Sequence, residues 1–397
     1  MTHDTNIPQG YKATALGIIP QEWEVRPLNY LGAICSGGTP DTEVAEYWNG
    51  DIAWCTPSDI TKLDTKYIES TEVKITAKGL KESSATLLPP RSIVVCTRAT
   101  IGNAAICNTE IATNQGFKNI IPNEKTNPEW LYYIIIYSKP RLVRFGCGST
   151  FLEVSKKDFS RFKIAVPPLA EQRKIAEVLS VWDEAIEKQA RLIEKLALRK
   201  RALMQRLLSA KLRLPGFSEP WKKVKLGDVA ELYQPQTIQS EDLSQTGYPV
   251  YGANGLIGYY NSYNHEYPQV VITCRGSSCG TVNFTPGKCW ITGNAMVLNV
   301  DNNRDVNKSF FYYLISNSSF VNLISGSGQP QIVRQPLLKF ELHIPTLKEQ
   351  TAIAEMLTAA DREIELAKEK LERLRRQKRG LMQQLLTGKK RMKYNKI

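Results

Sequence analysis

Apolar positions recur at alternating spacings of four and three residues in two stretches of this chain. The first runs through Ile175, Leu179, Trp182, Ile186, Gln189, Ile193, Leu196, Lys200, Leu203 and Leu207. The second runs through Ile353, Leu357, Ala360, Ile364, Ala367, Leu371, Leu374, Lys378, Leu381 and Leu385. A 3.5-residue period held over about five heptads predicts a coiled-coil seam. Pro167-Pro168 and Pro345 stand just ahead of the two patterns, where a helix tolerates proline, and nothing breaks the first pattern before Pro215. The stretches are also copies: Val166–Leu214 aligns without a gap on Ile344–Met392 at an offset of 178, with 22 of 49 pairs identical. Two copies are too few for a solenoid, which needs at least three repeats to bury a continuous core. A duplicated half-molecule fits better.

The segments around the two long helices change period. Short β-branched runs at Ser92–Cys96, Val270–Thr273 and Cys289–Thr292 lie among Gly/Asn turns and predict mixed α/β structure. Helical runs at 129–145 and 309–324 close each segment. The centres share little sequence, but the edges match: Trp23 and Leu28 answer to Trp221 and Leu226, Tyr132-Tyr133 to Tyr312-Tyr313, and Phe162 to Phe340. One scaffold presenting two different surfaces is the expectation. The boundaries follow: an N-terminal segment 1–19 packing near the C-terminal helix, a first domain 20–165, a central spacer helix 166–214, a second domain 215–343, a distal spacer helix 344–390 and a tail 391–397. The first helix leaves one domain and the second starts from the other, so packing together requires them to run antiparallel. The second copy ends where the first continues into PGFSEPW, and the N-terminal GIIPQEW resembles that missing continuation. The chain is therefore expected to be pseudo-twofold and pseudo-circular.

Charge sharpens this picture. Of the net +13, residues 171–213 carry +5 and residues 348–397 carry +7, leaving the domains nearly neutral. A polyanionic partner is implied, reached through local groups rather than blanket charge. Basic residues crowd the C-terminal half of each helix (Arg199, Lys200, Arg201 and Arg206; Arg375, Arg376, Lys378 and Arg379). Leu192, Leu198, Met204 and Leu208 lie off the seam and are expected to offer faces to partner proteins. No apolar stretch is long enough to span a bilayer and the N-terminus has no signal pattern, so no membrane role and a cytoplasmic location are expected.

Catalytic patterns are missing. No phosphate-binding G-x-x-x-x-G-K-[ST] loop occurs, and neither Pro89-Pro90 nor Pro167-Pro168 has the flanks of an amino-methylation motif. Phe145-Gly146-Cys147-Gly148 follows a helix rather than a strand and reads as a hinge. Glu72-Val73-Lys74 behind Asp59 is too common a pattern to define a nuclease. Cys274, Cys279 and Cys289 with His265 lack paired metal-ligand spacing, and the eight cysteines read as free thiols.

Against that background, specific stretches carry a family resemblance: GYKATALGIIPQEWE (10–24), SGGTP (36–40), YWNGDIAW (47–54), SSATLLPP (83–90), RATIG (98–102), NQGF (114–117) and PPLAEQRKIA (167–176). YPVYGANGLIGYY (248–260), RGSSCGTVNF (275–284) and PTLKEQTAIA (345–354) continue it in the second half. In this order the chain resembles the specificity (S) subunits of type I restriction–modification enzymes. The resemblance implies a mixed α/β fold: two globular α/β target-recognition domains separated by an antiparallel pair of long coiled-coil helices. Each domain would read one half of a bipartite target on double-stranded DNA, with the helices setting the gap. Two methylation subunits and motor-nuclease subunits are the implied partners. S-adenosylmethionine, ATP and Mg would be bound by those partners, with no cofactor, metal or catalysis on this chain. Three other readings stay open: the specificity subunit of a related methyltransferase-only system, a standalone DNA enzyme, and a coiled-coil scaffold without DNA specificity.

Sequence reading needs side chains that contact base edges and others that hold phosphates. The candidates are Arg98, Lys118, Lys156 and Lys157 in the first half, and Tyr251, Asn254, Arg275, Gln331 and Arg334 in the second. Arginine suits guanine, and Asn or Gln suits adenine, in the major groove. RATIG and RGSSCG differ by one residue, so loop-by-loop superposition of the halves is not expected.

Overall fold

The computed structural model describes residues 7–146, 153–252, 255–326 and 328–393. The chain divides into two compact units, Met1–Arg191 with Glu369–Ile397, and Leu192–Lys368. The long helices are Leu169–Leu207 and Leu347–Leu386, 39 and 40 residues. Each unit therefore owns one end of both helices, whereas the sequence reading set the helices apart as spacers. The cause is antiparallel packing. In the first unit Ile175 and Leu179 share a core with Met382, Leu385 and Leu386, and Asp183 pairs with Lys378. In the second, Leu207 and Leu208 share a core with Ile353 and Leu357, and Lys200 pairs with Asp361. Within each unit, rising numbers on one helix meet falling numbers on the other.

Every apolar seam position named above is buried or half-buried: Ile175, Leu179, Trp182, Ile186, Ile193, Leu196, Leu203 and Leu207 on one helix, and Ile353, Leu357, Ile364, Leu371, Leu374, Leu381 and Leu385 on the other. Off the seam, Leu192 and Leu198 are exposed, as are Val181, Met356 and Leu366. Leu208 and Met204 are not free faces. Leu208 lies just past the helix end and is buried in the second unit's core, with Met204 packed against it.

Both units repeat one sheet. In the first, five strands run in the order Gly32–Ser36, Phe117–Pro122, Ile93–Cys96, Ala104–Cys107, Tyr67–Ile68. In the second, four run Glu231–Tyr233, Ala295–Asn299, Val270–Thr273, Val282–Phe284, the same order without the last strand. The central strands Ile93–Cys96 and Val270–Thr273 are buried at every position, the continuous apolar pattern of strands covered on both faces. Each sheet is followed by a domain helix, Pro128–Gly146 or Lys308–Ser316. The second is shorter than the run 309–324 predicts. Asn317, Ser318 and Ser319 end it, because short polar side chains compete for backbone groups, and Val321–Leu323 forms a separate 3-10 turn. Likewise the run Cys289–Thr292 forms a strand only over Trp290–Ile291, with Cys289 in a separate bridge to His265.

A polar clamp seats each domain helix on the helix pair. The Tyr133 hydroxyl and the Lys378 ammonium meet the Asp183 carboxylate, and Lys66 adds a second ammonium at 3.3 Å. In the second unit Tyr313 donates to Asp361 at 2.7 Å and Lys200 pairs with the same carboxylate. Lys200 and Lys378 occupy seam positions, where a charge is tolerated only opposite a partner. At the entry of each long helix a buried glutamate binds an arginine 178 residues from its counterpart: Arg391 on Glu171 in the first unit, Arg213 on Glu349 in the second.

The first unit also shows the closure of the pseudo-circle. The hairpin Tyr11–Thr14 with Gly17–Pro20 lies against the end of the second long helix, where the Tyr11 hydroxyl donates to the Gly388 carbonyl at 3.0 Å. Gly388 takes φ +72°, and a Cβ there would fall 2.4 Å from Pro20. The close approach to Pro20 is what requires glycine there, and the positive φ favours it. Ala210 sits in the matching turn at φ 57°.

Candidate nucleic-acid interface

In each sheet the hairpin next to the domain helix turns through a loop, Thr97–Asn103 in the first unit and Cys274–Thr281 in the second. The second loop is one residue longer, as RATIG and RGSSCG imply. Arg98 and Arg275 each stand second in their loop, and both are exposed. A returning segment pairs with each loop. Arg98 forms a β-bridge with Glu153, and Arg275 forms one with Gln331. The backbone bonds correspond: Val154 N–H donates to the Thr97 carbonyl at 2.9 Å, and Ile332 N–H to the Cys274 carbonyl at 3.0 Å. Val154 and Ile332 are buried, which anchors the segments. Each then enters a short helix, Lys156–Arg161 or Arg334–Leu338.

The candidates thus divide by location. Arg98 and Lys156 gather at one loop pair, and Arg275, Gln331 and Arg334 at its equivalent. Lys156 and Lys157 are exposed on the first turn of their helix, where Ser155 caps it by accepting from the Asp158 N–H. Arg334 is exposed, but its Nε donates to the Leu232 carbonyl at 2.7 Å, which fixes its stem. Lys118 is not on the surface. It is buried on the strand Phe117–Pro122 with its ammonium 3.6 Å from Glu153, and burial lowers its pKa against the opposing pull of that carboxylate. Tyr251 is half-buried in the strand Tyr248–Gly252, which belongs to a different sheet from the strand leading to Arg275, and burial raises its pKa. Asn254, Cys147 and Gly148 lie outside the described residues.

The sequence reading missed Glu153. Arg98 donates to its Oε2 through Nε at 3.1 Å and Nη2 at 2.6 Å. The Arg98 hydrogen bond holds the Glu153 carboxyl below the usual carboxylate range. The signal was available in principle, because Glu153 and Gln331 stand at the same 178-residue offset as the helix repeat.

Other reactive groups have structural occupations. Asp59 caps the helix Pro57–Thr61 and accepts from the Glu72 N–H, while Glu72 pairs with Lys62. His265 bonds Tyr233 and Asn264. Burial pushes the Cys96 thiol up to about 11 and Cys107 to about 12, far from the thiolate a nucleophile needs. No group of three or more His, Cys, Asp and Glu suited to a metal ion occurs among the described residues. No described helix is long and apolar enough to cross a membrane.

A duplicated sheet scaffold that varies the residue beside one loop arginine is the architecture of a modular sequence reader. The family of the type I restriction modification DNA specificity domain matches residues 20–197 and 218–376, and the chain belongs to it. It is 40% identical over 193 residues to the type I restriction enzyme MjaIX specificity subunit of Methanocaldococcus jannaschii, covering 47% of this chain and 45% of that one. It is 24% identical to the MjaVIII specificity subunit of the same organism over 94% of both chains. Among solved structures, the S subunit of a type I restriction–modification system from M. genitalium matches with a TM-score of 0.58 at 17% identity, covering 97% of this chain and 98% of that one. A chain from a study of complex assembly in the type I R-M system matches with a TM-score of 0.62 at 20% identity, over 93% and 99%. The chain is a DNA specificity subunit with two target-recognition domains.

Proposed function

We propose that this chain is the non-catalytic reader of a type I restriction–modification complex, each recognition domain addressing one half of a bipartite double-stranded target. The observation that carries this is the contrast within the chain: sheets of the same strand order, clamps of the same kind, and loops that differ at the point where they leave the scaffold. Arg98, Lys156 and Lys157 in the first unit, and Arg275, Gln331 and Arg334 in the second, form the reading faces, with phosphate contacts positioning and base contacts specifying. The exposed helix residues Val181, Leu192, Leu198, Met356 and Leu366 suit two methylation subunits, and motor-nuclease subunits complete the complex. S-adenosylmethionine, ATP and Mg belong to those partners, in the cytoplasm. Helix length sets the gap between half-targets. Methylome sequencing of the host with and without the gene tests this. One bipartite motif should disappear with the gene. An unchanged methylome, or loss of an undivided motif, would reject the reading.

A further inference from the structure

Three differences between the loop pairs occur together. Glu153 in the first unit is replaced at the same offset by Gln331 in the second. The sheet register sets Lys118 beside Val95 and Met296 beside Ile272, the same rung of the two sheets, so the buried lysine that reaches Glu153 in the first unit is replaced by a buried methionine in the second. Arg98 is ion-paired to Glu153, whereas Arg275 has no ion pair among the described residues. The carboxylate thus comes with a buried cation, and the amide with an apolar side chain. A carboxylate beside DNA is repelled by phosphate unless cations offset it, and Arg98 and Lys118 leave the trio at net +1. An amide needs no such support. Directly bridged residues project to the same face, so each position stands next to a loop arginine, with Val154 or Ile332 fixing it from behind. Oε2 of Glu153 takes both Arg98 bonds, and Oε1 keeps acceptor capacity with Lys118 no nearer than 3.6 Å. The bond from Val154 N–H to the Thr97 carbonyl matches that from Ile332 N–H to the Cys274 carbonyl, so the exchange changes a side chain beside a shared anchor, although Gln331 is also bridged to Ser325.

We propose that this shared bridge position is a specificity-determining position, at which Glu153 accepts from the exocyclic amine of a cytosine and Gln331 pairs with the N6 and N7 edge of an adenine. A carboxylate accepts from cytosine N4, and a glutamine amide matches adenine in two bonds, in the major groove. Lys118 acts behind Glu153 as a positioning residue. The proposal rests on the reading faces proposed above and names their chemistry.

The test uses the full chain assembled with its methylation subunits and a DNA library randomised across both half-targets, scored by base preference at each position. Glu153→Gln should weaken the preference for the C·G pair at one position of one half-target, by roughly tenfold or more, the scale of one base contact. Gln331→Glu should lower the preference for adenine at one position of the other half. Thermal unfolding of each complex checks folding: Gln331→Glu should leave it within a few degrees, while Glu153→Gln, which leaves the buried Lys118 ammonium without its carboxylate, should lower it with the complex still assembled. If either folded variant changes overall affinity equally for all sequences, with no positional change, the residue is an electrostatic tether and the proposal fails. A variant that does not assemble also counts against it, since its residue is then structural. Arg98→Ala and Arg275→Ala separate the two levels. If these leave binding and motif untouched, the reading faces themselves are misplaced; if they weaken binding while the two exchanges shift no base, only the present inference falls.

Discussion

The two units treat one sequence repeat in two ways. Where the chain meets the long helices, they agree atom for atom in kind: a tyrosine on an aspartate, a seam lysine on the same aspartate, an arginine on a buried glutamate, and a glutamine whose side-chain oxygen accepts from the first turn of the domain helix segment (Gln172 from Asn127 N–H, Gln350 from Asn307 N–H). Where it meets solvent, they diverge. Glu153, the Lys118 buried beneath it and the ion-paired Arg98 of one unit correspond to Gln331, Met296 and Arg275 of the other, and Arg275 has no ion pair among the described residues. Packing interfaces tolerate little change, because a misplaced charge or methylene costs kilocalories, whereas a loop side chain can change at small cost to stability. The comparison teaches where specificity can be altered without harming assembly.

The largest expected effect would break the comparison outright. Exchanging residues 20–165 for the same segment of another specificity subunit should replace one half-target completely and leave the other as it was, read by methylome sequencing. Simultaneous change of both halves would show that the units do not read independently. Next comes the apolar packing that the units share. Leu207 and Leu385 are both 0% exposed at the helix ends. Leu207→Ala and Leu385→Ala should each cost about 2–5 kcal/mol, measured by denaturant unfolding. A loss in only one would mean the units are not equivalent.

The clamps give a finer distinction. The Asp183 side chain is 17% exposed and faces two ammoniums, while that of Asp361 is 42% exposed and pairs with one. Asp183→Asn strands Lys66 and Lys378 and should cost about 2–3 kcal/mol, below the 3–5 of a fully buried pair. Asp361→Asn should cost about 1 kcal/mol or less, since solvent screens the pair. Equal losses in thermal unfolding would refute this asymmetry. The smallest effect concerns His265, present only in the second unit. Burial lowers its imidazole pKa, with Asp301 pulling the other way. Protonation is therefore harder in the folded than in the unfolded chain, so the unfolded state binds more protons as pH falls. Stability should be complete above about pH 6.5, the unfolded value, and decline below it. His265→Gln should flatten that decline in unfolding measured between about pH 5 and 7.

The sequence alone determined the helix pair, its antiparallel sense, the duplication and the family, because a 3.5-residue period and a 178-residue offset are properties of residue order. It also placed Arg98 and Arg275 in turns, since glycines there mark a change of chain direction. It could not decide exposure. Lys118 reads as an ordinary surface lysine until the strand pairing puts it under Glu153, and Leu208 reads as a free helix face until the helix ends one residue earlier. Asp183 and Asp361 look like any charged helix residues until a seam lysine from the other helix meets them. Strand register, not local pattern, chooses which residues 20 or 200 positions apart share a face. Only the tertiary structure could therefore pair Glu153 with Arg98, or show Gln331 in the same place beside Arg275.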